Sequence, residues 1–228
     1  EREVAREHRR PHIFSPADVR QMLDVARSYP SPDAPLRPMV LYTMVVLAYC
    51  AGLRRSELAG LDLGDVDLQS DTITVRETKF YKTRILPLTG SVMAELRAYI
   101  DARRRAGAPQ DPRSGLFWHE HFNDRYTPVT VSTMITNVMR RAGFKAPTGR
   151  TGPRVHDLRH SMVVNRILQW YRSGVNPQDK LRFLSTYMGH RDINSTLVYI
   201  TVTQDLLQEA SERFRTVGAR CLTMEARS

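Results

Sequence analysis

The sequence predicts a mainly α-helical fold with one small antiparallel β-sheet, an α+β chain, on three observations. Apolar residues recur at helical spacing along most of its length, from Val19 to Met188. One stretch, Asp71-Thr72-Ile73-Thr74-Val75-Arg76, alternates with a period of two and is rich in β-branched residues. A hairpin partner follows it, Thr83-Arg84-Ile85-Leu86-Pro87-Leu88. Helix punctuation is also strong, with capping residues before the apolar runs and glycines after them.

In chain order, residues 1–14 are charged and unpatterned. Ser15-Pro16-Ala17-Asp18 is a capping box with proline at the first helical position, and Val19, Met22, Leu23 and Ala26 follow on one face. A proline-rich loop, Pro30 to Pro38, precedes a helix from Met39 to Ala51 that is apolar nearly all round. That helix is therefore expected in the core, closed by Gly52. A short helix beginning near Ser56 carries Leu58 and Leu61, and Asp65 to Leu68 reads as a short strand. After the hairpin, helices are expected over about 91–105, 130–142, 157–172, 177–188, 194–201 and 204–216. Pro/Gly loops lie at 107–115 and 145–154.

Charge bounds the partner. The chain of 228 residues has 34 Lys+Arg against 24 Asp+Glu, a formal net charge of +10. Only Lys79, Lys82, Lys145 and Lys180 are lysines. Arginine's planar fork matches phosphate oxygens two at a time, so the surplus points to a polyanion. Two cysteines, Cys50 and Cys221, form neither a disulfide framework nor a zinc pattern, which favours a reducing cytoplasm. Cys50 lies in an apolar run and is expected to be buried. No apolar run is long enough to span a bilayer.

Chemistry concentrates in four places: Ala51-Gly52-Leu53-Arg54-Arg55-Ser56-Glu57-Leu58, the lysine hairpin around Lys79 and Lys82, His156-Asp157-Leu158-Arg159-His160, and Met188-Gly189-His190 with Tyr199 nine residues later. Cutting a phosphodiester without a metal needs a nucleophile, neutralised non-bridging oxygens and a protonated leaving oxygen. Tyrosine can supply the first, two arginines the second, and lysine or histidine the third. His156 and Arg159 stand three apart and so share a helix face. Read singly, each signal has a plainer alternative. His-x-x-Arg fits a solvated helix face, Arg54-x-x-Glu57 a surface pair worth well under 1 kcal/mol, and Tyr199 ordinary core packing. Tyr187 and Tyr81 are the other tyrosines to weigh, and Lys82 competes with Lys79.

The ordered set Arg54, Lys79, His156, Arg159, His190, Tyr199 resembles the tyrosine recombinases, the phage integrase and Xer group, over about Ser15 to Phe214. The resemblance implies that family's catalytic core, with residues 15–228 as the catalytic domain and 1–14 as a linker from an N-terminal DNA-binding domain. It implies site-specific breaking and rejoining of double-stranded DNA through a 3′-phosphotyrosine on Tyr199. Arg54 and Arg159 would hold the non-bridging oxygens, His156 would act as general base, Lys79 would protonate the 5′-oxygen, and His190 would hydrogen-bond the phosphate. Glu57 would orient Arg54. Neither metal nor cofactor is implied. A homo-oligomer is implied, four protomers on two DNA sites with the C-terminal helix exchanged, in the cytoplasm at the nucleoid.

Two rivals remain, a type IB topoisomerase-like relaxation of supercoils and a non-catalytic DNA-binding regulator. The segment between Arg159 and His190 is longer than in compact Xer-like members by roughly two helical turns. It carries Trp170, Tyr171 and Arg172 and is expected to form a subfamily-specific surface.

Overall fold

The computed structural model describes residues 11–76, 83–189, 196, 197, 199, 207, 208 and 211. Two compact units divide the chain, Glu1–Met162 and Val163–Ser228.

The first unit is built round one apolar helix. Helix α1 (Pro16–Arg27) starts at the expected capping box: Ser15 Oγ accepts the Asp18 N–H at 3.2 Å and the Asp18 carboxylate accepts the Ser15 N–H at 2.8 Å. Helix α2 (Arg37–Cys50) buries Val40, Leu41 and the run Thr43 to Ala48. It packs against α1, α3 (Arg55–Gly60), α4 (Gly90–Arg105) and α5 (Pro128–Arg141). Each fully buried aliphatic side chain there contributes about 1.5–3 kcal/mol. Gly52, at φ +62°, reverses the chain after α2, and the Leu53 N–H reaches back to the Leu47 carbonyl at 3.3 Å. Cys50 corrects an expectation. It is exposed, at the end of α2 on the face turned from the core, between half-buried Tyr49 and buried Ala51. Cys221 lies outside the described residues.

A three-stranded antiparallel sheet joins β1 (Val66–Asp67), β2 (Thr72–Val75) and β3 (Arg84–Pro87), with Ile73 opposite Leu86 and Val75 opposite Arg84. The strand expected from Asp65 shrinks to β1, preceded by a 3₁₀ turn over Leu63–Asp65. Arg76 pairs with Asp65 of that turn. A second sheet, β4 (Trp118–His119) with β5 (Asp124–Arg125), was not expected; two residues per strand are too few to show a period. Its neighbourhood needs a glycine, since a Cβ on Gly115 would fall 2.5 Å from the Arg125 Cβ. Arg103 is fully buried under this region. It donates to the carbonyls of Pro109, Gly115 and Leu116 and to Ser114 Oγ. This arginine braces a loop and takes no part in the basic surface.

Helix α6 (Val155–Arg172) gives its first two turns to this unit. The second unit holds its remainder, with Val163, Val164 and Ile167 buried, and α7 (Pro177–Met188). The start of α7 is capped by Asn176, whose Oδ1 accepts the Gln178 N–H at 3.1 Å, and its end by Gly189 at φ +62°. Beyond α7 the described residues Thr196, Leu197, Tyr199, Leu207, Gln208 and Ser211 are helical; the rest of the helices expected at 194–201 and 204–216 lies outside the described residues. Among the described residues no helix is long and apolar enough to cross a membrane.

Candidate active site

The first arginine motif is placed by the end of α2. The reversal at Gly52 sets Arg54 immediately before α3. Arginine has no acceptor for the helix amides, so capping comes from the other side: the Glu57 carboxylate reaches back to the Arg54 N–H at 2.9 Å. The same oxygens bind side chains. Arg54 Nη1 donates to Glu57 Oε1 at 2.7 Å. Arg84, on β3, donates Nη1 to Oε1 at 3.1 Å and Nη2 to Oε2 at 2.8 Å.

The second motif arrives from α6, and its start repeats the device: the Arg154 N–H is accepted by Asp157 Oδ2 at 2.9 Å. Arg159, one turn further, is buried, with its side chain 1% exposed. Its Nη1 donates to the Gly52 carbonyl at 2.5 Å and lies 3.9 Å from Glu57 Oε2. Arg54 and Arg159, from opposite halves of the first unit's sequence, thus meet around one carboxylate. The glycine turn that launches Arg54 is itself held by Arg159.

Among the described residues three guanidiniums surround this single carboxylate, in a largely dry setting. Burial alone would raise the pKa of Glu57. The Arg84 hydrogen bonds and charge, the Arg54 amide and Arg159 overcome it, and the carboxyl falls to about 2. Because its folded value lies below the ordinary 4.5, the associated stability is present above about pH 4.5 and is lost as pH falls towards 2. A shift of that size corresponds to roughly 3 kcal/mol. Urea unfolding at pH 7 and pH 3 should show the gap between the wild type and Glu57→Gln narrowing at the lower pH.

His156 stands exposed in the first turn of α6. Its ring meets that of His160 edge-to-face, centroids 4.5 Å apart. Burial pushes His160 below the usual imidazole range; Asp157 opposes this and Arg159 adds to it. Tyr199 belongs to the second unit, helical and 5% exposed. Tyr187 is half-buried within α7. Lys79, Lys82, Tyr81 and His190 lie outside the described residues. Among the described residues, no group of three His, Cys, Asp or Glu could hold a metal ion.

Two participants escaped the motif reading. In the sequence Arg84 stands out only as part of a strand. Its signal is an inverted alternation, with Arg84 and Leu86 on the inner face and Ile85, 65% exposed, on the outer one. Lys145 read as one more basic loop residue. It is buried, and its Nζ donates to the carbonyls of Arg150, Thr151 and Pro153 at 3.3, 2.6 and 3.1 Å, shaping the loop that leads into His156. Lys145→Met should cost about 2 kcal/mol and lower Tm by roughly 4–8 °C, since carbonyls would be left without a donor. Thermal unfolding checks it.

A family model described as "Phage integrase family" matches residues 13–205. The putative integrase/recombinase y4rB of Sinorhizobium fredii is 34% identical over 206 residues, covering 90% of this chain and 65% of that protein. Tyrosine recombinase XerA of Thermococcus onnurineus is 27% identical over 209 residues, covering 91% and 64%. An uncharacterized Sinorhizobium fredii protein, y4gA, is 71% identical over 92 residues, 40% of this chain and 49% of that protein. The chain thus spans about half to two thirds of the length of the curated relatives it matches. A crystal structure of XerA recombinase superposes with a TM-score of 0.66 at 24% identity, covering 90% of this chain and 66% of that one. XerH recombinase bound to a palindromic difH substrate gives 0.66 at 17%, covering 90% and 54%, so both share the fold. The charged centre therefore sits in the fold of these recombinases, and the chain belongs to the phage integrase family, the tyrosine recombinases.

Proposed function

We propose that this chain is the catalytic part of a site-specific DNA recombinase or integrase that cuts and rejoins double-stranded DNA through Tyr199. The observation that carries the proposal is the shared carboxylate. Among the described residues Arg54 and Arg159 converge on Glu57 with a surplus of positive charge, and a phosphodiester gathers negative charge as it becomes pentavalent.

In the proposed reaction the Tyr199 oxygen bonds to phosphorus and the bond to the 5′-oxygen breaks. The phenol proton passes to His156, and Lys79 gives a proton to the departing 5′-oxygen. The products are a 3′-phosphotyrosyl link and a 5′-hydroxyl, and the reverse sequence rejoins strands. Arg54 and Arg159 hold the non-bridging oxygens, with Glu57 orienting Arg54, and His190 adds a hydrogen bond. Tyr199 is buried, so its cover must shift before attack. Four protomers on two sites, with exchange of the C-terminal helix, complete the proposal; DNA-bound relatives such as XerH on its difH substrate support the DNA partner.

The test is incubation of the full-length protein with nicked duplexes, followed by a denaturing gel. A covalent adduct is expected, and a protein that binds these duplexes yet never forms one would be a regulator instead. Affinity should also fall by at least about a hundredfold between roughly 50 and 200 mM salt, through counterion release. A flat response in a fluorescence-anisotropy titration would remove the phosphate-dominated interface.

A further inference from the structure

We propose that Arg84 is a positioning residue: its two-toothed grip on Glu57 limits that carboxylate to one hydrogen bond from the Arg54 side chain and holds it out of reach of Arg159, so their guanidiniums stay directed at phosphate. This rests on the strand-transfer reading and extends it to a side chain that would not itself touch the DNA. Three observations support it. The first is geometry. Arg84 occupies both Glu57 oxygens, at 3.1 and 2.8 Å, whereas the Arg54 side chain takes one and Arg159 stays 3.9 Å away, beyond hydrogen-bond reach. The second is placement. The Arg84 side chain is 9% exposed on the inner face of β3, while Ile85 faces outward, an inversion that packing alone disfavours. The third is rigidity. Arg84 is paired with Val75 across the sheet, so register fixes the backbone from which its side chain reaches Glu57.

Without that fork, a buried carboxylate beside two guanidiniums has one favourable course, a two-toothed pair with one of them. The chosen arginine would then be partly neutralised and turned from the phosphate. Charge alone would not prevent this. A lysine at position 84 keeps the charge but offers a single point, which leaves one carboxylate oxygen to the other arginines.

The experiment compares wild type, Arg84→Met and Arg84→Lys in the full-length protein, with thermal unfolding to follow the fold. Single-turnover adduct formation on a nicked duplex should slow about a hundredfold in Arg84→Met and more than about tenfold in Arg84→Lys. Duplex affinity should change less than about threefold, because other phosphate contacts dominate it. Inorganic phosphate provides a second reading that needs no chemistry. Its binding, followed at arginine side-chain NMR signals that Arg54→Ala removes, should weaken at least about threefold in Arg84→Lys. Wild-type rate or wild-type phosphate binding in Arg84→Lys would overturn the proposal and leave Arg84 only its charge. If Arg84→Met fails to fold, Arg84→Lys decides alone. If wild type forms no adduct on any duplex, strand transfer fails as a reading, and the phosphate titration still decides the role of Arg84.

Discussion

Tyr199→Phe is expected to leave no covalent protein–DNA adduct at any time point, while duplex affinity changes by less than about threefold. The substitution deletes one oxygen and keeps the ring. That oxygen is the only atom of the side chain able to bond phosphorus, so the chemical step has no slower version to fall back on. Binding, in contrast, draws on many phosphate contacts and a net charge of +10, to which one hydroxyl adds little. The ring is 5% exposed and packs as a large apolar body, so phenylalanine fills the same volume. The measurement is a denaturing gel after incubation with a nicked duplex, beside an anisotropy titration of the same variant. An adduct that persists moves the nucleophile elsewhere. Tyr187 on α7 would be next, then Tyr81 in the lysine hairpin.

Local rules made much of the fold legible. Ser15-Pro16-Ala17-Asp18 states a helix start in four residues, and α1 begins there, while the helix expected over about 177–188 is α7. The all-apolar run of α2 could only be a core helix, and it is. What escaped depended on contacts distant in sequence. Glu57 reads as half of an exposed i,i+3 pair until β3 delivers Arg84 and α6 delivers Arg159, after which it is a buried counterion to three arginines. Nothing local in the sequence marks Lys145 or Arg103 as buried. Each is nonetheless buried among carbonyls, because loops without helix or strand partners need donors from somewhere. The β4–β5 hairpin was too short to leave a period, and Cys50 faces outward although the run that carries it is apolar. The family resemblance placed Arg54 and Arg159 in one set in advance. It did so by order along the chain, and the reason Arg54 and Arg159 meet, a carbonyl at Gly52, is visible only in three dimensions.

Arg159→Lys separates the structural contact that this arginine makes from the phosphate contact proposed for it. Its side chain is 1% exposed, donates to the Gly52 carbonyl, and lies next to Glu57. Lysine keeps the charge and can reach one acceptor, but it lacks the planar fork that can brace a carbonyl and a phosphate oxygen together. The loss should therefore fall mainly on chemistry. Adduct formation is expected to slow by about 10²–10³, the scale for removing one preorganised donor from a developing oxyanion. Stability should fall by only about 1–3 kcal/mol, the cost of a weakened buried hydrogen bond. Arg54→Lys offers the internal contrast. The Arg54 side chain is 27% exposed and does not hold the Gly52 turn, so its replacement should slow the reaction to a similar degree with a smaller change in Tm. Single-turnover kinetics and thermal unfolding of both variants give the four numbers needed. If Arg159→Lys reacts at the wild-type rate while losing stability, then Arg159 only braces Gly52, and the phosphate must be held by Arg54 and other donors.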